Sequence, residues 1–172
     1  RLVQAKTRRI TVVESDNISG TAERRMSESG LMEKLDEMNV EFVNLSHEKF
    51  EPAEVGGLEI RLPRTVLSAD YFINLPKVKT NSFVLISAAM KNMFGTIATR
   101  KKTQFHPELA DTLVYLNKTI PQNRIVVDGI TAMEGLGPIR GSPRNLGLII
   151  TGKNPVTVDA ACSHIIGFNP YA

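Results

Sequence analysis

Short β-branched runs alternate with amphipathic stretches along nearly the whole chain, and this alternation constrains the fold more than any other feature. Residues 10–13 read as a buried strand, bounded by Arg8-Arg9 and by the polar Glu14-Ser15-Asp16. Residues 21–38 read as helical with a break near Gly30, because Leu31, Leu35 and Met38 fall at i, i+4 and i+7. Residues 40–45 supply a second strand, and strand–helix–strand at this spacing predicts a right-handed parallel unit. Residues 46–57 carry Pro52 and Gly56-Gly57 and read as a surface excursion, followed by a short antiparallel edge strand over 58–62.

The second half repeats the alternation. Residues 71–75 form a strand stopped by Pro76, and residues 82–94 read as a helix closed by Gly95. A basic, threonine-rich loop over 96–104 leads to a helix over 107–117 with Leu109, Leu113 and Leu116 on one stripe. Residues 124–127 are a strand ending at Asp128-Gly129, residues 130–145 a loop rich in Gly and Pro, and 146–150 the last strand. Asn154 and Pro155 then open a helix as N-cap and first-turn proline. Its apolar face is Val158, Ala161, Cys162, Ile165 and Ile166, and Gly167 closes it. The expected fold is α/β, a mostly parallel sheet flanked by helices on both faces, in a single domain over residues 1–172. Because the chain opens on Arg1 rather than Met, that domain is expected to be incomplete at its N-terminus.

Composition excludes several classes of function. No run approaches the roughly 18 apolar residues of a membrane span, and residues 1–9 are polar and basic with no apolar leader core. The reading is a cytoplasmic chain with no membrane span. Cys162 is the one cysteine, so neither a disulfide framework nor a cysteine-ligated iron–sulfur cluster is expected within the chain. His47, His106 and His164 are scattered without ligand spacing, and no histidine metal site is expected. The sequence names no other cofactor and leaves open whether a metal is bound.

Two glycine patterns invite misreading. Gly147 to Lys153 has the outline of a phosphate-binding loop, but strand formers lie between its glycines and Asn154 stands where a magnesium-binding hydroxyl is needed. Gly135, Gly137 and Gly141 come after a strand, yet Pro138 and Pro143 stand where a dinucleotide-binding helix should start. These glycines instead let a backbone approach something closely.

Charge is distributed unevenly. The net charge is only +3, but no acid occurs between Asp70 and Glu108, an interval that holds Lys77, Lys79, Lys91, Arg100, Lys101 and Lys102. Open parallel sheets bind ligands beyond the carboxyl ends of their strands. Beyond the expected strand ends lie Lys79, Asp128 and Glu134, the candidate catalytic groups. Asn74, Lys77, Lys91, Asn92, Arg100, Gly135 and Gly137 are the candidate ligand-binding residues. The lysines suit an anionic carboxylate- or phosphate-bearing ligand, or a base if burial lowers a lysine's pKa, and Asp128 and Glu134 suit proton transfer or metal coordination. Asn92 sits in an apolar stretch and needs a partner if buried. A second reading is a non-enzymatic module that docks a ferredoxin-type redox partner on its basic face. Nucleic-acid binding is disfavoured, since the chain has no Trp and no recognisable binding motif.

Three blocks also resemble a known family. They are Ile73-Asn-Leu-Pro-Lys-Val-Lys-Thr-Asn81 with Ala89-Met-Lys-Asn-Met-Phe-Gly95, then Val127-Asp-Gly-Ile-Thr-Ala-Met-Glu-Gly-Leu-Gly-Pro138, then Gly152-Lys-Asn-Pro-Val-Thr-Val-Asp-Ala160 with Ile166-Gly-Phe-Asn-Pro170. Together they are similar to the conserved domain of unknown function numbered 362, many of whose members are labelled iron–sulfur proteins. The resemblance covers roughly residues 8–170. It implies an extra strand and helix upstream of Ile10, and a cysteine-rich ferredoxin-like module that this chain lacks. The family pattern tends to have His where this chain has Asn81.

Overall fold

The computed structural model describes Val3, Thr7 and residues 9–171; Arg8 lies outside the described residues. Backbone contacts gather the chain into two compact units, one of Arg1–Ser68 and Gly95–Leu109, the other of Ala69–Phe94 and Ala110–Ala172.

The first unit begins with the expected parallel pair. Strand β1 (Thr11–Glu14) is followed by helices α1 (Ala22–Glu28) and α2 (Leu31–Glu37), then by β2 (Glu41–Asn44). β2 lies parallel to β1 in the register Thr11↔Glu41 to Glu14↔Asn44. The helical break falls at Gly30, whose φ of 71° is left-handed. The excursion expected over 46–57 is instead half of a hairpin. β3 (Phe50–Val55) pairs antiparallel with β4 (Leu58–Pro63) across Gly56-Gly57, whose φ values of 58° and 76° suit a two-residue turn. A short helix, α3 (Arg64–Leu67), comes next. Ala22, Leu45, Ile60, Leu62, Ile97 and Phe105 are among this unit's buried side chains.

The second unit departs further from expectation. β5 is only Ile73–Asn74, and beyond Leu75-Pro76 the chain continues as β6 (Lys77–Asn81) on the same side of the long strand β8. The helix expected over 82–94 is replaced by β7 (Leu85–Ser87), which pairs back on β6, and the four-residue α4 (Ala89–Asn92). The cause is local: the Asn81 side chain accepts from Phe83 N and Val84 N, holding a turn where a helix would start. Helix α5 (Leu109–Thr119) lies close to its expected bounds.

The Gly/Pro-rich loop expected over 130–145 is in fact strand. β8 runs Arg124–Leu136 and β9 runs Arg140–Gly152, paired antiparallel from Ile125↔Gly152 to Leu136↔Arg140. Pro143 is tolerated because β9 pairs only with β8 and so forms an edge. Helix α6 (Pro155–Ile165) opens on Asn154, whose side chain accepts from Thr157 N at 3.1 Å.

The fold is therefore α/β, but its sheets are small and mixed, not one mostly parallel sheet. Among the described strands three pairings are parallel and three antiparallel. In the sheet of β6, β8 and β9, one face carries the packed core among the described residues. Val78, Ile125, Val127 and Ala132 pack with Ala88 and Ala89 beside α4 and with Val158 and Cys162 of α6. Lys77, Asp128 and Ile149 alternate with that core and stay open to solvent.

Candidate functional site

Lys77 and Asp128 face each other in register across β6 and β8. The Lys77 Nζ lies 2.6 Å from Asp128 Oδ2 and also donates to the Thr131 carbonyl at 2.8 Å. Asp128 Oδ1 accepts from Ile130 N at 3.0 Å, where β8 bulges between Gly129 and Thr131. The Lys77 hydrogen bond outweighs partial burial and holds the Asp128 carboxyl below the usual carboxylate range. Both side chains remain about half exposed. Asp128-Gly129 thus does not end its strand but sits midway along it.

Lys79 lies two residues further on the same face and pairs with Met133. The next residue of β8, Glu134, has its carboxylate 3.9 Å from the Arg144 guanidinium across the hairpin. Gly135 takes φ of 80°, and Gly137 lies so close to β6 that a Cβ would collide with the Thr80 carbonyl. The close backbone approach expected of these glycines is therefore real at Gly137, and what approaches is the chain itself.

Asn74, Lys91 and Asn92 gather around α4. Asn92 Nδ2 donates to Asn74 Oδ1 at 2.7 Å, and Asn74 Nδ2 donates to the Ala89 carbonyl and to Gln122 Oε1. Gln122 passes on to Asn117, which donates to the Met90 carbonyl. Asn74 is buried, so this relay satisfies it. The Lys91 ammonium lies 3.7 Å from the centre of the Phe94 ring, a cation–π contact. Asp159 accepts from the first amides of α4, Ala89 N and Met90 N. Burial pushes the Asp159 carboxyl up to about 6, against those two hydrogen bonds. Nine of the ten sequence candidates belong to this second unit; Arg100 belongs to the Gly95–Leu109 segment of the first.

Asn81 donates to Ser87 Oγ at 3.1 Å and caps the β6–β7 turn. Cys162 is buried in the core, and burial raises its thiol to about 11.

The first unit holds a polar cluster around Asp16, which the sequence placed with Glu14 and Ser15 beyond the first strand but did not join to Asn44 or Lys102. It forms just past the carboxyl ends of β1 and β2. Asp16 Oδ1 accepts from Ala22 N and from Asn44 Nδ2, and its Oδ2 lies 3.5 Å from His47 Nε2. Burial alone would raise the Asp16 carboxyl. Those two hydrogen bonds, with the charges of His47 and Lys102, outweigh it and lower the pKa. Lys102, only 8% exposed, donates to the Asp16 and Thr99 carbonyls, both at 2.6 Å. Burial lowers its ammonium to about 8 against the pull of Glu14 and Asp16. Arg25 donates to the Ser15 carbonyl at 2.7 Å. The sequence signal was Glu14-Ser15-Asp16 directly after the first strand. Lys102 gave none, because it stands in a run of exposed-looking cations.

Among the described residues no group of three or more His, Cys, Asp or Glu is arranged to hold a metal ion. No described helix is long and apolar enough to cross a membrane.

The chain is 27% identical over 158 residues to the thylakoid-associated protein sll1697 of Synechocystis sp., an alignment that covers 88% of this chain and 49% of that protein. It thus spans about half the length of that curated relative. The family described as Domain of unknown function (DUF362) matches residues 1–164, nearly the whole chain, and the chain belongs to that family.

Proposed function

We propose that the chain is an enzyme-like domain that binds a small anionic ligand, bearing a carboxylate or phosphate, on the open face of β6 and β8. The observation that carries this reading is the Lys77–Asp128 pair, a 2.6 Å contact on a solvent-exposed sheet face with Lys79 beside it. An incoming anion competes with Asp128 for the Lys77 ammonium, and Lys79 adds a second positive charge. Asp128, released from its partner, then becomes a stronger base at the ligand, with Glu134 as the next carboxylate along β8. Asn74 and Asn92 act behind the face by fixing α4. Lys91 contributes positive charge outside it. The reading assigns the chain to a reducing, cytoplasmic setting, supported by its single, buried thiol.

The test is the thermal shift of the purified chain with inorganic phosphate, small carboxylates and divalent metals, repeated on Lys79→Ala and Asp128→Ala. A stabilised wild type with two folded but unresponsive variants supports the site, because a ligand that binds only the native state raises the melting temperature. Variants that respond like the wild type, or that fail to fold, overturn it.

A second reading, docking of an acidic ferredoxin-type partner, draws on the same uncovered face, whose unit carries no acid from 71 to 94. It predicts association that weakens steeply with salt and persists in Asp128→Ala.

A further inference from the structure

Two hairpin turns lie side by side at one end of the second unit's sheet. The β6–β7 turn spans residues 82–84 and the β8–β9 turn residues 137–139, and Ser82 N donates to the Gly137 carbonyl at 3.2 Å. Four large apolar side chains crown these turns in water: Phe83 is 62% exposed, Leu85 67%, Leu136 75% and Ile139 69%. Singly exposed apolar residues are ordinary surface, but four gathered on adjoining turns form a patch.

The charge that the sequence places on these turns and directly after them is positive. β6, β7 and their turn lie inside the acid-free stretch 71–107, while the second turn and all of β9 lie inside another, residues 135–158. Arg140 comes directly after Ile139 and Arg144 stands further up β9, both exposed. Glu134 of β8 is an acid near this end of the hairpin, and it lies 3.9 Å from Arg144.

We infer that this double tip docks on the surface of a lipid bilayer carrying anionic headgroups. The four apolar side chains enter the interface while Arg140 and Arg144 stay at headgroup depth. Along the hairpin Ile139 leads, Leu136 and Arg140 pair directly behind it and Arg144 stands further back, so the cations fall level with or behind the apolar side chains, as an anionic bilayer surface requires. The four side chains are largely exposed, and a fluid acyl layer accepts them without a preformed pocket, which a protein partner would have to supply. This is a peripheral contact and requires no membrane span.

The test is sedimentation of the chain with vesicles of phosphatidylcholine alone and of equal parts phosphatidylcholine and phosphatidylglycerol, at low and high salt. Wild type is expected to pellet with the anionic vesicles only, and less at high salt. The pair Leu136→Ser and Ile139→Ser abolishes pelleting. The pair Arg140→Gln and Arg144→Gln weakens it by about fivefold per charge, with the melting temperature unchanged. The chain has no tryptophan, so Phe83→Trp places a single reporter at the tip, and its emission shifts to the blue on adding anionic vesicles. None of these substitutions replaces Lys77, Lys79, Asp128 or Glu134, and Leu136→Ser with Ile139→Ser leaves the Glu134–Arg144 pair in place, so this docking and the proposed ligand site stand or fall separately. Absence of pelleting by wild type, equal pelleting by the variants, or a Phe83→Trp emission that does not move overturns the inference. Self-association through the tip without vesicle binding overturns it as well.

Discussion

Asn92 donates its side-chain amide to Asn74 Oδ1 at 2.7 Å, joining α4 to the end of β5. Asn74 is almost wholly buried, so its carbonyl oxygen depends on this bond. Asn92→Ala leaves that oxygen unsatisfied and is expected to cost about 1–3 kcal/mol of stability. Asn74→Ala should cost a similar amount, because it strands the Ala89 carbonyl and Gln122 as well. Urea denaturation of both single variants and the double variant measures the coupling. A pair in direct contact should be non-additive by roughly 0.5 kcal/mol or more.

Asp159 ties α6 to the same short helix by accepting from Ala89 N at 2.6 Å and Met90 N at 3.0 Å. Its folded pKa of about 6 lies above its value in an unfolded chain, so the native state holds the proton more tightly. Stability from this group is therefore fully present below about pH 4 and is lost as pH rises toward about 6. The difference in unfolding free energy between wild type and Asp159→Asn, measured across that window, isolates the effect from the other carboxylates. The difference should move against wild type with rising pH; a flat difference would show that water reaches the Asp159 carboxyl in the native state. At neutral pH, Asp159→Ala should still cost on the order of 1 kcal/mol through loss of the cap.

Legibility in the sequence tracks the strength of local signals. The parallel β1–β2 pair, the break at Gly30 and the Asn154-Pro155 start of α6 were all readable, because each rests on neighbours within a few residues. β8 and β9 were cut short for the opposite reason. Gly135, Gly137, Pro138, Gly141 and Pro143 carry the composition of a loop, and only cross-strand pairing on an edge makes that composition compatible with strands. The replaced helix over 82–94 has a similar origin, since the Asn81 turn and the pairing of β7 override the apolar pattern. For the candidate site, the residue types were legible but their partners were not. The contact between Lys77 and Asp128 spans fifty-one positions, and Lys102 looks like its exposed neighbours until the carbonyls of Asp16 and Thr99 are placed beside it.

The two glycines of the hairpin tip should respond differently to alanine. Gly135 has open space where a Cβ would go, and its strain is only the left-handed φ of 80°. Gly135→Ala is expected to cost about 1–2 kcal/mol. At Gly137 the obstacle is the Thr80 backbone, which cannot swing aside as a side chain can. Gly137→Ala should therefore be the worse substitution, at roughly 3 kcal/mol or more, with β6 displaced from the hairpin. Thermal denaturation ranks the two, and hydrogen exchange at the β6 amides reports the displacement.

Lys102 gives the molecule a second pH signature, with the opposite sign to that of Asp159. Its ammonium is buried and donates to the Asp16 and Thr99 carbonyls, with Glu14, Asp16 and Arg25 as the charges that act on it. Burial brings the folded pKa down to about 8, whereas an unfolded lysine titrates near about 10.4. Between those values the unfolded chain binds more protons than the native one, so stability rises with pH across the window. Below about pH 8 the cost of burying the charge is present in full. Lys102→Met removes the titrating group and should abolish the rise. It also leaves two carbonyls without their donor, so at neutral pH it should destabilise the chain by about 1–3 kcal/mol. Guanidinium denaturation of both proteins between neutral pH and pH 10 reads both effects. If the wild type and Lys102→Met curves keep the same slope, the ammonium meets water in the native state, and the 95–109 segment is held to the carboxyl end of β1 more loosely than two 2.6 Å hydrogen bonds imply.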